Sequence, residues 1–276
     1  MINATGNRMT REIARQSRLA QDIAQTQIQV STGKRIQRAS DDPVAAIRIT
    51  TLRTAQANDV AWKANVDLGV TLTAQADSVL KSAADLLVRA RELTVAGASQ
   101  TLAPADRNAI ATELSALADE LDNLAATRST LGEPLFAAGA PSVMRFDGDT
   151  LFAPVPSRTA LFESGEQSAA QHVRNAAAAV AGGNSVTIGS SLTALDGAID
   201  QFATAQAQIG INASRLDRLT ELQSERGIAN KAERSALEDT DLTNAIAKLN
   251  AQTITLEAAQ AAFARINRRT LFDILG

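Results

Sequence analysis

The two ends of this chain read as two halves of one structure that neither end completes alone. Met9, Ile13, Ala20, Ile23 and Val30 recur at helical spacing near one terminus, and Leu242, Ile246, Leu249, Leu256 and Phe263 recur near the other. Each segment predicts an amphipathic helix with one narrow apolar seam, the pattern of a coiled-coil partner rather than of a packed globular surface. Nothing else in either terminus could cover such a seam. The partner must be the opposite end of the chain, another copy of it, or both. The pattern points to assembly, with Ile13, Ile23, Val30, Leu242, Ile246, Leu249, Leu256 and Phe263 as the expected contacts.

At 276 residues the chain is long enough for a substantial core, yet aromatics make up only 3% of it, with no Tyr and one Trp. Aromatic side chains dominate ligand pockets and β-rich cores. A core of Ala, Leu, Ile and Val is expected instead, which favours thin, closely spaced helices. The absence of Cys excludes a disulfide framework and a thiolate metal site. No stretch approaches the roughly 18 apolar residues of a membrane span. Arg8, Arg11, Glu12, Arg15, Arg18 and Asp22 interrupt any secretory signal core.

Charge is unevenly spread. Residues 1–39 carry seven Lys/Arg against two Asp/Glu, whereas residues 40–240 carry sixteen against twenty-five. A basic amphipathic terminus can bind membranes. Its polar side, with Gln16, Gln21, Gln25, Gln27 and Gln29, suits hydrogen-bonded packing with neighbouring helices better than lipid. Neither membrane insertion nor a nucleic-acid partner is expected.

Punctuation along the chain divides it into helices. The first helix should stop near Val30, with Gly33 available as a left-handed C-cap. In Ser40-Asp41-Asp42-Pro43, Asp42 can cap the next helix and Pro43 can occupy its first turn. The pattern then reads helical over 43–96, with Gly69 as an internal weak point. Such a helix would be about 80 Å long at about 1.5 Å per residue. After a break at 97–104, Ile110, Leu114, Leu117, Leu121 and Leu124 form a clean seam. Helical patterning fails over 129–189. There, Val143 to Phe152 predicts a hairpin with Asp147-Gly148 in a type I′ turn, Leu161-Phe162 a short strand, and 167–181 a helix. From Leu192 the helical code returns and runs to about Leu237, and 238–241 punctuates the chain before the last helix.

The expected fold is mainly α: an elongated bundle of long antiparallel helices, with terminal coiled-coil helices and a small β insertion. The domains expected are 1–40 with 241–276, a terminal helical pair; 41–130 with 190–240, a long-helix bundle; and 131–189, a hairpin and loop insertion.

These residues resemble the bacterial flagellin superfamily. The matching runs are Val30-Ser31-Thr32-Gly33-Lys34-Arg35-Ile36, Ser40-Asp41-Asp42-Pro43-Val44-Ala45-Ala46 and Arg89-Ala90-Arg91-Glu92-Leu93-Thr94-Val95, together with Leu256, Ala259, Ala262 and Phe263 of the last helix. Within the superfamily, Thr270-Leu271-Phe272-Asp273-Ile274-Leu275 resembles the Ser-Leu-Phe-Asp-type ending of the hook–filament junction branch. The short middle region departs from junction proteins with a larger outer domain. The resemblance implies a structural flagellar subunit exported by the flagellar type III apparatus without a cleaved signal peptide. Its terminal helices would form the inner tube. The implied partners are copies of itself, the hook-side hook-associated protein, flagellin and, before secretion, a flagellar export chaperone. Filament-forming flagellin is the alternative within the superfamily. Outside it, Ala-, Gln- and Thr-rich heptads also build helical signalling bundles, although the missing membrane span and the β insertion argue against that reading.

Catalytic chemistry finds few residues to work with. His172 is the only histidine, so no multi-histidine metal site or histidine-paired nucleophile is expected. Asp147 and Asp149 flank a glycine without the ligand series of a calcium loop, and turn chemistry explains them better. Gly182-Gly183-Asn184 lacks phosphate-loop spacing. Residues 89–95 resemble a flagellin segment sensed by a Toll-like receptor but depart from it at Ala96; packing is the reading taken. No enzyme, cofactor or metal is expected.

Overall fold

The computed structural model describes residues 2–164 and 167–275, with side chains described for 9–164 and 167–265. The order is α1 (Ile2–Thr32), α2 (Pro43–Gly97), α3 (Pro104–Ala125), β1 (Met144–Arg145), β2 (Leu151–Phe152), α4 (Arg158–Phe162), β3 (Glu163–Ser164), β4 (Gln167–Ser168), α5 (Ala169–Gly182), α6 (Ser185–Glu238) and α7 (Leu242–Leu275). The fold is mainly α with two small antiparallel strand pairs. Two compact units divide it: residues 1–57 with 227–276, and residues 58–226. α2 and α6 contribute to both.

Start and stop chemistry sets the helix ends. Gly33 (φ +68°) follows α1, and Gly183 (φ +66°) ends α5 in the left-handed region that glycine adopts without a Cβ penalty. Asn184 then opens α6, its Oδ1 accepting the Val186 N–H at 2.9 Å. That cap explains why α6 starts at Ser185, well before Leu192: Thr187 and Gly189 weaken the local helical pattern, but Asn184 nucleates the turn and Ile188 is buried.

In the unit 58–226, Leu80, Leu87, Leu114, Leu121, Leu195, Phe202 and Ile209 centre one hydrophobic core. α3 packs on α5, whose face is lined by Ala170, Val173, Ala176, Ala177 and Val180, small enough for close approach. Gly97 meets that face: a Cβ there would lie 2.6 Å from a Val180 methyl. Arg174 of α5 bridges Asp119 at 2.9 Å and Asp122 at 2.6 Å on α3. Within residues 89–95, Leu93 and Thr94 are buried, while Arg89 and Arg91 sit at the surface paired to Glu113 and Asp196.

The segment between α3 and α5 differs from two expectations. β1 and β2 do pair, with Met144 opposite Phe152 and Arg145 opposite Leu151. Their turn is not type I′, which requires positive φ at both central residues; neither Asp147 nor Gly148 has it. Tertiary anchors open the loop instead. Phe146 is fully buried against Val66, Leu216 and Leu219, and its carbonyl accepts from Gln223 Nε2 at 2.7 Å. Arg226 donates two hydrogen bonds to Asp147, at 2.9 and 2.8 Å. Those bonds hold the Asp147 carboxyl below its ordinary range, against the opposing effect of burial.

The second expectation, a strand at Leu161-Phe162, gives way to the single turn α4. Ser157 caps it, accepting from the Ala160 N–H. Leu161 and Phe162 are both buried, which a strand with alternating faces could not achieve against one core. Phe136, Phe146, Phe162 and Phe202 are all buried, so the core is not purely aliphatic as composition suggested.

Candidate assembly interface

α1 packs on α7 in the unit 1–57 with 227–276. The stripe of α1 shielded from solvent is Glu12, Gln16, Leu19, Ile23, Thr26 and Val30; on α7 it is Ala245, Leu249, Gln252, Leu256, Ala259 and Phe263. Both follow alternating three- and four-residue steps, the heptad signature of a two-helix seam. Hydrogen bonds fix the antiparallel register. Thr26 Oγ1 donates to Gln252 Oε1 at 3.1 Å, and Gln16 Nε2 donates to the Ala259 carbonyl at 3.5 Å.

The expected contacts therefore fall into two sets. Ile23, Val30, Leu249, Leu256 and Phe263 are half-buried on this seam, whereas Ile13, Leu242 and Ile246 are exposed at 54%, 47% and 46%. Met9 and Ala20 also face away. The seam drawn from apolar residues alone is thus rotated by about one position in both helices. Apolar spacing missed Leu19, Thr26, Gln252 and the small Ala245 and Ala259. The signal that could have found them is the seven-residue series 12–19–26 and 245–252–259, which matches across the two helices although half of it is polar. Ile254, exposed at 66%, adds to the uncovered surface. The side chains of Thr270 to Leu275 lie outside the described residues.

Beside this seam, the connections α1–α2 and α6–α7 are stitched together. Arg35 N–H donates to the Glu238 carbonyl at 2.8 Å and Thr240 N–H to the Gly33 carbonyl at 2.9 Å. The Glu238 carboxylate, its side chain 8% exposed, lies 2.6 Å from Lys34 Nζ and 2.8 Å from Arg53 Nη2. Ile36, Ala45 and Ile49 pack below, with Leu237 against them. Asp41 shapes the turn by accepting from the Gln37 and Arg38 N–H groups at 3.1 and 2.9 Å, bonds that hold its carboxyl below the ordinary range. Asp42 Oδ1 accepts the Ala45 N–H at 3.0 Å, and Pro43 stands at the first position of α2. Removing that acceptor in Asp42→Ala should cost about 1 kcal/mol. Amide exchange over residues 44–50 should then quicken roughly fivefold. Unchanged exchange there would exclude a capping role.

The order of elements that builds this interface has a counterpart among known proteins. Residues 3–140 match the bacterial flagellin N-terminal helical region, and residues 192–275 match the C-terminal helical region. The chain belongs to the bacterial flagellin family. No curated protein matches this flagellin-family chain in sequence. Among solved structures it is similar to a protein from Vibrio parahaemolyticus described as a flagellar hook-associated protein. That likeness has a TM-score of 0.65 at 19% identity and covers 72% of this chain and 100% of that one. It is also similar to Xanthomonas campestris FlgL, with a TM-score of 0.59 at 16% identity over 67% of this chain and 99% of that one. At these identities the likeness is one of fold. Among the described residues of this flagellin-family chain, no group of three metal-ligating side chains occurs, and no helix is long and apolar enough to cross a membrane.

Proposed function

We propose that this chain is a non-catalytic structural subunit of the flagellar hook–filament junction, of the FlgL type. The observation that carries the reading is that its fold spans the hook-associated relatives end to end. The ending from Thr270 to Leu275 supports the same branch by resemblance. Assembly uses the surface that the α1–α7 pair leaves open, with Ile13, Leu242 and Ile246 on it. Ile23, Val30, Leu249, Leu256 and Phe263 act indirectly, by holding α1 and α7 in register. Half-polar helices of this kind gain little from their own pairing and need neighbours to offset their ordering entropy. The partners are further copies, a hook-side hook-associated protein, flagellin and, before type III export to the flagellum, an export chaperone.

A junction subunit meets one protein below and a different one above, so its copies need not stack on themselves. Mixed with fragmented hooks, the purified chain should add one limited layer and stop. Ile246→Asp, at an exposed position, should change unfolding by no more than about 0.5 kcal/mol yet abolish the layer. Filaments growing from this protein alone would replace the junction reading with filament flagellin. Binding to neither hooks nor itself would favour a signalling bundle.

A further inference from the structure

Arg11, Arg15 and Arg18 stand on one flank of α1 at steps of four and three residues, a stripe about 10 Å long. All three are exposed, and with Asp22 and Thr255 of α7 they line an open groove of about 460 Å³. None of them forms an ion pair among the described residues. A matching feature of opposite sign lies elsewhere on the chain. Asp217, Glu221 and Glu225 follow at four-residue steps on an exposed side of α6, a stripe about 12 Å long at the helical rise. These three also lack a basic partner among the described residues. Several other carboxylates do have one: Asp67 with Lys63, Asp77 with Lys81, Glu113 with Arg89, Asp196 with Arg91, and Glu233 with Arg48.

We infer that the arginine flank of α1 docks on the Asp217–Glu221–Glu225 stripe of α6 in a second copy of this chain. Two uncompensated stripes match in charge count and nearly in length, and the molecule carries both. The terminal region is basic while residues 40–240 carry an excess of acids, so copies gathered together present opposite signs to one another. Single exposed pairs are weak, but three in line steer approach and fix register more than they add affinity. The contact supplies a specific face for the subunit association in the proposed function and rests on that reading.

The test is a charge exchange in the full-length chain, read by sedimentation at low and at physiological salt. Arg15→Glu with Arg18→Glu should weaken self-association about tenfold or more, as should Glu221→Arg with Glu225→Arg. An equimolar mixture of the two double variants should regain it, because each then offers the other a complementary stripe. Wild-type association should fall as salt rises. Circular dichroism on both variants checks that these surface changes leave the helices folded. Undiminished association of either variant, or a mixture no better than its parts, overturns the contact. So does loss of binding to phosphatidylserine vesicles in the arginine variant with self-association intact, which would make lipid the occupant. The hook-layer assay separates the two readings. A layer formed equally well by the arginine variant removes this contact alone, whereas no layer from the wild type removes the junction reading itself.

Discussion

Phe202→Ala should lower the stability of the unit 58–226 by about 3–5 kcal/mol, the range for truncating a buried ring. Phe202 of α6 is 1% exposed, and its ring meets Phe162 edge-on at 5.2 Å between centroids. Phe162 of α4 in turn meets Phe136 at 5.0 Å and 64°. The three rings join the irregular segment after α3 to a long helix, so the truncation both opens a cavity and removes the edge-to-face contact that links Phe162 to α6. Urea unfolding of the full chain should show the loss as a shifted midpoint. Leu222→Ala, at a position 53% exposed on the same helix, should move it by no more than about 0.5 kcal/mol. A Phe202→Ala loss below about 1 kcal/mol would mean that the neighbours close over the gap and that the aromatic file does not tie the segment down.

That aromatic file also marks where reading the sequence reached its limit. The long helices were legible because their signals are local: Asp42 and Pro43 at the start of α2, Gly33 after α1, and the Leu114–Leu117–Leu121–Leu124 repeat in α3. Two features were decided by contacts far away in sequence. The turn at Asp147-Gly148 carries the dipeptide of a tight hairpin, but Arg226, seventy-nine residues on, and the buried Phe146 hold it open. Leu161-Phe162 has strand composition, but the core of α6 accepts both side chains only from a helical turn.

The rotation of the α1–α7 seam has a similar cause. Thr26 and Gln252 pair with each other across it, as do Gln16 and the Ala259 carbonyl, so polar residues take positions that a hydrophobic count assigns to Ile13 and Ile246. The same rotation that hid the seam leaves those isoleucines uncovered. The candidate interface was therefore legible as a set of residues, while its division between inner seam and outer surface was not.

Glu238→Ala should cost about 3 kcal/mol at neutral pH, from the loss of charge-assisted hydrogen bonds and the cations left facing one another. One carboxylate serves Lys34 from the turn after α1 at 2.6 Å and Arg53 from α2 at 2.8 Å, with Arg234 of its own helix at 3.7 Å. Lys34 and Arg53 are 49% and 56% exposed, which keeps the cost at the low end for breaking a buried pair. The sign of the pH dependence follows from the same contacts. The Lys34 hydrogen bond, helped by the Arg53 charge and opposed by burial, holds the folded-state carboxyl below its ordinary value of 4.5. A carboxyl depressed on folding stabilises the native state fully above the unfolded value and loses that contribution as pH falls through the folded one. The gap between wild type and Glu238→Ala should thus be constant at neutral pH and close progressively below 4.5. Amide exchange at Arg35 and Thr240 is the readout, since their hydrogen bonds join the α1–α2 turn to the α6–α7 connection beside this carboxylate. A gap that persisted or widened in acid would show that Glu238 acts there through packing and not through its charge. If the charge is what matters, its removal loosens the stitch beside the α1–α7 pair, and the variant should add poorly to hooks even where its helices remain folded.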